Sequence, residues 1–413
     1  MSEENTGTPG KKSKKKYFFL VPLAFLLMLG GWYALARIAP QQVATPVAVV
    51  KQTTDNIYYA VKEDDLKKAA EKLPPHVNIL VTGLDSRLGS NDNHADAIHL
   101  FTIFPDNGKI EITSVPRDTK CFIDSTFPDS LSHFSNARSK LGRKGYIHTA
   151  EVFLNKGKID YWIDMNFSTV MGFLQLIGYK DPATALQFLR HRKSFPLGDV
   201  QRSHNQAVFM RDAIVKYFNL MNGMSGDFLL TAGLGMIETN LTKDVCQGLL
   251  YKLKQHGFPG NGDAIALNMD PPVYNKFVDI GMTPDNVEET TTRLMEKTYQ
   301  VGYSGKPDPV AILETRIAKA MRDSNKSFMV IQDLQAVADQ HGWLQVTDLQ
   351  QRDTLCGHIA SLLCTAYTRS HKPEKAAALQ TCIENERKLF RNRGEIFSGK
   401  VAGRDSATSI PTH

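Results

Sequence analysis

Aspartates and arginines gather where the apolar runs of this chain stop. Asp85 follows the run Val77–Leu84, Asp96 opens Ala97–Phe104, and Arg117 with Asp118 closes Lys109–Val115. Downstream, Arg190 and Arg192 stand two apart, followed by Asp199, Arg202 and Gln206. Arg87, just after Asp85, is a further candidate cation. A lone Asp at the end of a strand signals only a turn, but arginine has no turn preference, so the set points to a site at one edge of a sheet. Guanidinium groups match phosphate oxygens in a fixed, two-pronged geometry. Arginine rather than lysine at all four principal positions therefore fits a multidentate anion such as pyrophosphate. A plain salt-bridge network is the competing reading. It is disfavoured because desolvating so many ions seldom improves on apolar packing, whereas clustered buried ions mark sites.

The elements that must position these residues follow from pattern. The three apolar runs are β-rich and bounded by Gly, Asn, Asp or Pro, as strands are. Residues 119–144 are polar, contain Pro128 and end in the basic run Arg138, Lys140, Arg143 and Lys144. They read as a long loop over the site. A helix at 146–155, a strand at 159–166 and a helix at 167–177 follow. This alternation predicts an α/β fold with a central mixed β-sheet flanked by helices. Arg190 and Arg192 face the same way only if their segment is extended. Asp199 stands where the cap of a helix over 200–219 belongs. Within that helix Arg202 and Gln206 share a face, which continues as Phe209, Ala213 and Tyr217. An inward-facing arginine needs a partner, either a carboxylate or an anionic ligand. Residues 242–269 read as a helix then a strand that completes the domain.

The ordered set GLDSR at 83–87, Asp96, SVPRD at 114–118, LRHR at 189–192 and GDVQRSHNQ at 198–206 resembles the LytR-CpsA-Psr family of bacterial envelope proteins. The resemblance spans residues 76–282, which would form the catalytic domain. It implies a membrane-anchored phosphotransferase that moves a glycan from a polyprenyl-pyrophosphate carrier to peptidoglycan or another envelope acceptor. By matched position, Arg117, Arg190, Arg192 and Arg202 would hold the pyrophosphate, with Arg87 beside them and Gln206 on a phosphate oxygen. Asp199 would orient the arginines. Asp85 and Asp96 would hold Mg²⁺, or alternatively Mn²⁺, or help deprotonate the attacking hydroxyl, making a catalytic set with Arg117. Asn205 stands where the family carries Arg, Tyr179 where it carries Gly, and the segment before LRHR is short. These departures bear on substrate and acceptor rather than on reaction class. Two alternatives stand beside it: a hydrolase on the same pocket, releasing phosphate or pyrophosphate from the polyprenyl carrier, and a non-catalytic envelope binding or regulatory protein that uses the helical C-terminal region for partners.

The rest of the chain fits an envelope location. Residues 17–36 contain no charge across 20 positions, about the length that crosses a ~30 Å bilayer core. Tyr17, Trp32 and Tyr33 stand at its two ends. The lysines of a basic tail, residues 1–16, put that side in the cytoplasm. A cleaved signal peptide has a shorter apolar core, so a single-pass anchor in the cytoplasmic membrane with an extracytoplasmic bulk is expected. Residues 37–75 read as a spacer and a short helix over 57–73. The net charge is +6, and the five lysines and two glutamates of the first 16 residues account for half of it. That leaves no concentrated basic face, so nucleic acid is not an expected partner. No P-loop, Gly-x-Ser-x-Gly elbow or His-Glu-x-x-His is present. Beyond residue 283 the pattern turns helical, with helices at 285–302, 309–323, 328–341, 347–368 and 373–391, and a disordered tail from 396. Pairing of the last two helices would bring Cys356 near Cys382, and a disulfide is permitted outside the cytoplasm. His191 is expected to be structural, and His133, His148 and His204 lack metal-ligand spacing.

Overall fold

Strand β1 (Val77–Leu84) is buried along almost its whole length, because the sheet it belongs to is covered on both faces. The computed structural model describes residues 62–86, 88–89, 93–123, 131–223, 225–260, 262–274, 276–296 and 308–397. Arg87, the expected cytoplasmic tail, anchor and spacer through residue 61, and the tail beyond 397 lie outside them. Among the described residues no helix is long and apolar enough to cross a membrane.

The sheet contains β1, β2 (Ala95–Phe104), β3 (Lys109–Ser114), β6 (Tyr161–Met165), β7 (Glu238–Thr239) and β8 (Ile265–Met269). Its order is β7-β6-β1-β2-β3-β8. It is mixed, as expected. β1 pairs antiparallel with β2 and parallel with β6, while β3 pairs antiparallel with β2 and parallel with β8. Side chains alternate across a strand. Val77, Ile79 and Val81 meet Phe218 of helix α5 (Asp199–Met221) and Leu249 of helix α7 (Lys243–Gln255). Leu80, Ile98 and Leu100 meet Phe134 and Tyr146 of helix α2 (Phe134–Leu154) on the other face.

The sequence reading and the structure part in three places. Residues 119–144 are not one long loop. They hold strands β4 (Lys120–Phe122) and β5 (Leu131–His133), and helix α2 begins at Phe134. Gly142, with φ 66° and ψ −175°, kinks α2 and interrupts its apolar period, so only its second half reads as a helix. Leu189–Arg192 is not a continuous extended segment. Arg190 is the last residue of helix α4 (Pro182–Arg190), whose N-cap Asp181 accepts the Thr184 N–H at 3.0 Å. Asp199 is not an N-cap either. Gly198 precedes the helix, and the Asp199 carboxylate is used elsewhere.

The C-terminal region is helical, as expected. It comprises α8 (Val287–Glu296), α9 (Pro309–Arg322), α10 (Ser327–Asp339), α11 (Leu349–Arg369), α12 (Pro373–Arg391) and α13 (Arg393–Phe397). Ile396 is buried, so folded chain continues past residue 395. The region shares a core with the α/β part. Trp343, Leu313 and Ile359 pack with Leu176 of helix α3 (Phe167–Leu176) and Met236 after helix α6 (Gly226–Gly235). Arg352 fastens the two further. It donates to Val346 O at 2.8 Å and to Gln175 Oε1, while Gln175 Nε2 donates to Thr347 O at 3.0 Å. All five cysteines are free thiols, so Cys356 and Cys382 are not bridged.

Candidate active site

Antiparallel pairing brings the end of β1, the start of β2 and the end of β3 to one edge of the sheet. Leu84 pairs with Ala95 and His99 with Ser114, with a register shift at Gly83/Leu84. Asp85, Asp96, Arg117 and Asp118 therefore meet there. The amino end of α5 and the carboxyl end of α4 arrive at the same edge, carrying Asp199, Arg202 and Arg190. An acid at a helix start and a base at a helix end both suit the helix dipole.

Asp199 joins the two halves. Its Oδ2 accepts the main-chain N–H of Arg117 at 2.8 Å, and its Oδ1 lies 2.5 Å from Arg202 Nη2 and 3.9 Å from Arg192 Nη1. Arg202 Nη2 also donates to the Asp96 carbonyl at 2.9 Å. Arg117 donates through Nη1 to Asp96 and through Nε to Asp118 Oδ1 at 3.3 Å. Arg192 Nη1 donates to Asp118 Oδ2 at 2.9 Å. Arg190 is 3.4 Å from Asp85 and packs over the Phe167 ring, 4.2 Å from its centroid, which limits where the guanidinium can go.

Exposure sorts these groups into a floor and a rim. The side chains of Arg202, Asp199 and Asp96 are 4%, 10% and 10% exposed, and those of Arg117, Asp85, Arg192, Arg190 and Asp118 range from 26% to 44%. Burial pulls the Arg202 guanidinium below its ordinary range, against Asp199 and Asp96, which hold it up. Burial also lowers Arg117, but Asp96 and Asp118 outweigh it and the net is upward. Burial raises Asp118, while Arg117 and Arg192 bring it net below the usual carboxylate range. Arg202 Nε is buried and has no hydrogen-bond partner among the described residues. A buried donor left over in the floor is a place for an acceptor from outside the protein.

Gln206 is used within the protein. Its Oε1 lies 3.2 Å from His99 Nε2 and its Nε2 donates to Leu189 O at 2.8 Å, so it braces the residue before Arg190. His99, which the sequence reading passed over, has its Nδ1 2.9 Å from Ser114 Oγ. A polar residue inside an apolar strand was its only sequence signal. The family departures are also spent on structure. Asn205 accepts from Gln201 at 2.9 Å, and buried Tyr179 donates its hydroxyl to Met282 O at 2.9 Å. His191 is buried, and its Nε2 contacts Ser194 Oγ at 2.5 Å, as a structural histidine would.

Burial lowers the His99 pKa to about 4, with the Gln206 contact opposing and Arg202 adding to the shift. The folded state therefore keeps a neutral imidazole that the unfolded chain protonates near 6.5. Its contribution to stability is full above pH 6.5 and is lost as pH falls toward 4, a loss of about 3 kcal/mol. Urea unfolding across this range is expected to show that step in the wild type and to lack it in His99→Gln.

A family model described as LytR_cpsA_psr matches residues 45–178, which include Asp85, Asp96, Arg117 and Asp118. The polyisoprenyl-teichoic acid–peptidoglycan teichoic acid transferase TagU of Bacillus cereus is 26% identical over 260 residues, covering 56% of this chain and 81% of that protein. TagU of Bacillus subtilis is 25% identical over 286 residues, covering 62% and 90%. Over residues 45–178 this chain is similar to the LytR-CpsA-Psr family. Solved structures that align with this chain include Bacillus subtilis TagV, at 18% identity and TM-score 0.41 over 56% of this chain and all of that one. TagT bound to LIIa-WTA aligns at 17% identity and TM-score 0.36, over 58% and 94%. The second half of the site, from Arg190 to Gln206, lies beyond the residues that the family model matches. Its assignment rests on the contacts through Asp199.

Proposed function

We propose that this chain is a glycopolymer transferase. It takes a phosphoglycan from a polyprenyl-pyrophosphate carrier and joins it to a cell-wall acceptor such as peptidoglycan. Residues 17–36 anchor it in the cytoplasmic membrane, its bulk lies outside, and the lipid substrate reaches it from the same bilayer. One observation carries the reading: the Asp199 carboxylate ties the Arg117 backbone to Arg202 and Arg192, making one arginine–aspartate cluster from two distant segments. The names of the TagU relatives, which specify polyisoprenyl-linked teichoic acid and peptidoglycan, support the same substrate class.

The acceptor hydroxyl oxygen attacks the phosphorus that bears the glycan. A new P–O bond forms, the bond from that phosphorus to the bridging oxygen breaks, and polyprenyl phosphate leaves. The hydroxyl proton passes to a carboxylate at the edge, Asp85 or Asp96. Such a transfer needs positioning and charge neutralisation more than covalent help. Arg117, Arg190 and Arg192 bind the pyrophosphate oxygens from the rim. Arg202 and Asp199 hold the floor, and Gln206 braces Leu189 beside Arg190. Asp85 and Asp96 are the residues that would hold Mg²⁺. They offer only oxygen donors and are few, which suits an ion that takes one or two carboxylates and leaves its other positions to water and phosphate. When bound, it would neutralise phosphate charge.

Mass spectrometry of products tests the reading. The full-length protein is given lipid-linked glycan, Mg²⁺ and peptidoglycan. Glycan joined through phosphate to the acceptor is expected. Glycan phosphate released equally with and without acceptor would overturn it in favour of hydrolysis.

A further inference from the structure

Outside the site, metal-capable side chains of three types converge among the described residues at His341, Cys382 and Glu386. Cys382 and Glu386 are four apart on α12 and share a face. His341 follows α10 in the left-handed conformation, φ 50°, the usual turn just past a helix end and one that histidine enters more readily than most residues. That turn leads directly into the 3₁₀ segment Gly342–Gln345. Ring nitrogen, sulfur and carboxylate oxygen all lie within 4.8 Å of one another.

The surroundings prepare this trio. Trp343 Nε1 donates to Glu386 Oε2 at 2.7 Å, which leaves Oε1 facing His341 Nδ1. Cys382 Sγ is 3.9 Å from the same Oε1 and 3.3 Å from Gly235 O. The side chains of His341 and Glu386 are only 12% and 5% exposed. A His–Glu ion pair would account for two of the three residues. It does not account for a thiol that lies within reach of the same oxygen while donating to Gly235 O, nor for an indole that fixes the other oxygen, the kind of outer contact that orients metal ligands.

We propose that His341 Nδ1, Cys382 Sγ and Glu386 Oε1 bind one Zn²⁺, with water at the fourth position. Nitrogen, sulfur and carboxylate ligands in one tetrahedral set are zinc chemistry, whereas magnesium and calcium take oxygen alone. The charges balance. Thiolate and carboxylate together cancel the ion, so the buried site is neutral. On binding, the Cys382 thiol proton and the proton between His341 and Glu386 leave to solvent. The metal links the end of α10 to α12, and so ties two helices of the C-terminal region together. This site is independent of the transferase reading, and transfer chemistry does not pass through it.

The test uses the purified full-length protein, stripped with chelator and titrated with Zn²⁺ alone. One Zn²⁺ per chain is expected by elemental analysis, with a rise in Tm. Cys382→Ser and His341→Gln are each expected to lose more than about 100-fold in affinity, beyond what outer contacts cost. Co²⁺ in the wild type is expected to give a thiolate-to-cobalt charge-transfer band, which needs no variant to fold. Failure to retain Zn²⁺, a Co²⁺ spectrum without the sulfur band, or a Cys356–Cys382 disulfide found by mass would each overturn the proposal.

Discussion

Arg117→Ala is expected to lower glycan transfer by about 10²–10³-fold, the loss typical of removing one preorganised donor from developing charge. Arg117 spans the middle of the site, with Asp96 on one side and Asp118 on the other. Its side chain is a quarter exposed, so a ligand can reach it. Its backbone N–H, which Asp199 accepts, survives the substitution, so the joint between the two halves stays intact. Arg117→Lys keeps the charge and loses the planar fork, so it is expected to recover only part of the rate. Product mass spectrometry with both variants checks this. Transfer at the wild-type rate by folded Arg117→Ala protein would remove Arg117 from the chemistry.

Asp199→Ala is expected to cost roughly 3–5 kcal/mol in folding stability, because it leaves Arg202 charged and buried without its closest carboxylate. Arg202 has little water to turn to, at 4% side-chain exposure. The same change strips the acceptor from the Arg117 N–H. Asp199→Asn retains that acceptor and removes only the charge, so the two variants separate the joint from the ion pair. Urea unfolding of both reads the difference. A loss below about 1 kcal/mol for Asp199→Ala would mean that Arg202 is held by the Asp96 carbonyl alone.

Sequence pattern made β1, β2 and β3 legible because each carries a run of buried apolar residues, and it made the site legible because arginine stands where turn residues normally do. Helical pattern with few β-branched runs made the C-terminal helices legible; Asp308 and Asp348, which cap two of them by accepting main-chain N–H groups, are seen only in the structure. What stayed hidden was local or long-range. Helix α4 is only 9 residues long, and Arg190 at its end, paired in spacing with Arg192 beyond it, masks the signal of its Asp181 cap. The kink at Gly142 split α2, and with it the roles of Arg138 and Arg143, which both reach buried Asp164 at 2.9 Å. His99 and Gln206 meet across 107 residues, a pairing that no spacing rule encodes.

The central claim is that Arg117 and Arg190, from separate segments, grip one pyrophosphate. They hold different carboxylates in the protein, Asp96 and Asp118 for Arg117 and Asp85 for Arg190. A double-mutant cycle on the affinity for a short-chain polyprenyl pyrophosphate therefore reads their cooperation through the ligand. Each Ala variant is expected to bind more weakly, with a coupling energy of roughly 1 kcal/mol or more, since both contact the same group. Losses that simply add, or affinity that survives both changes, would contradict the account.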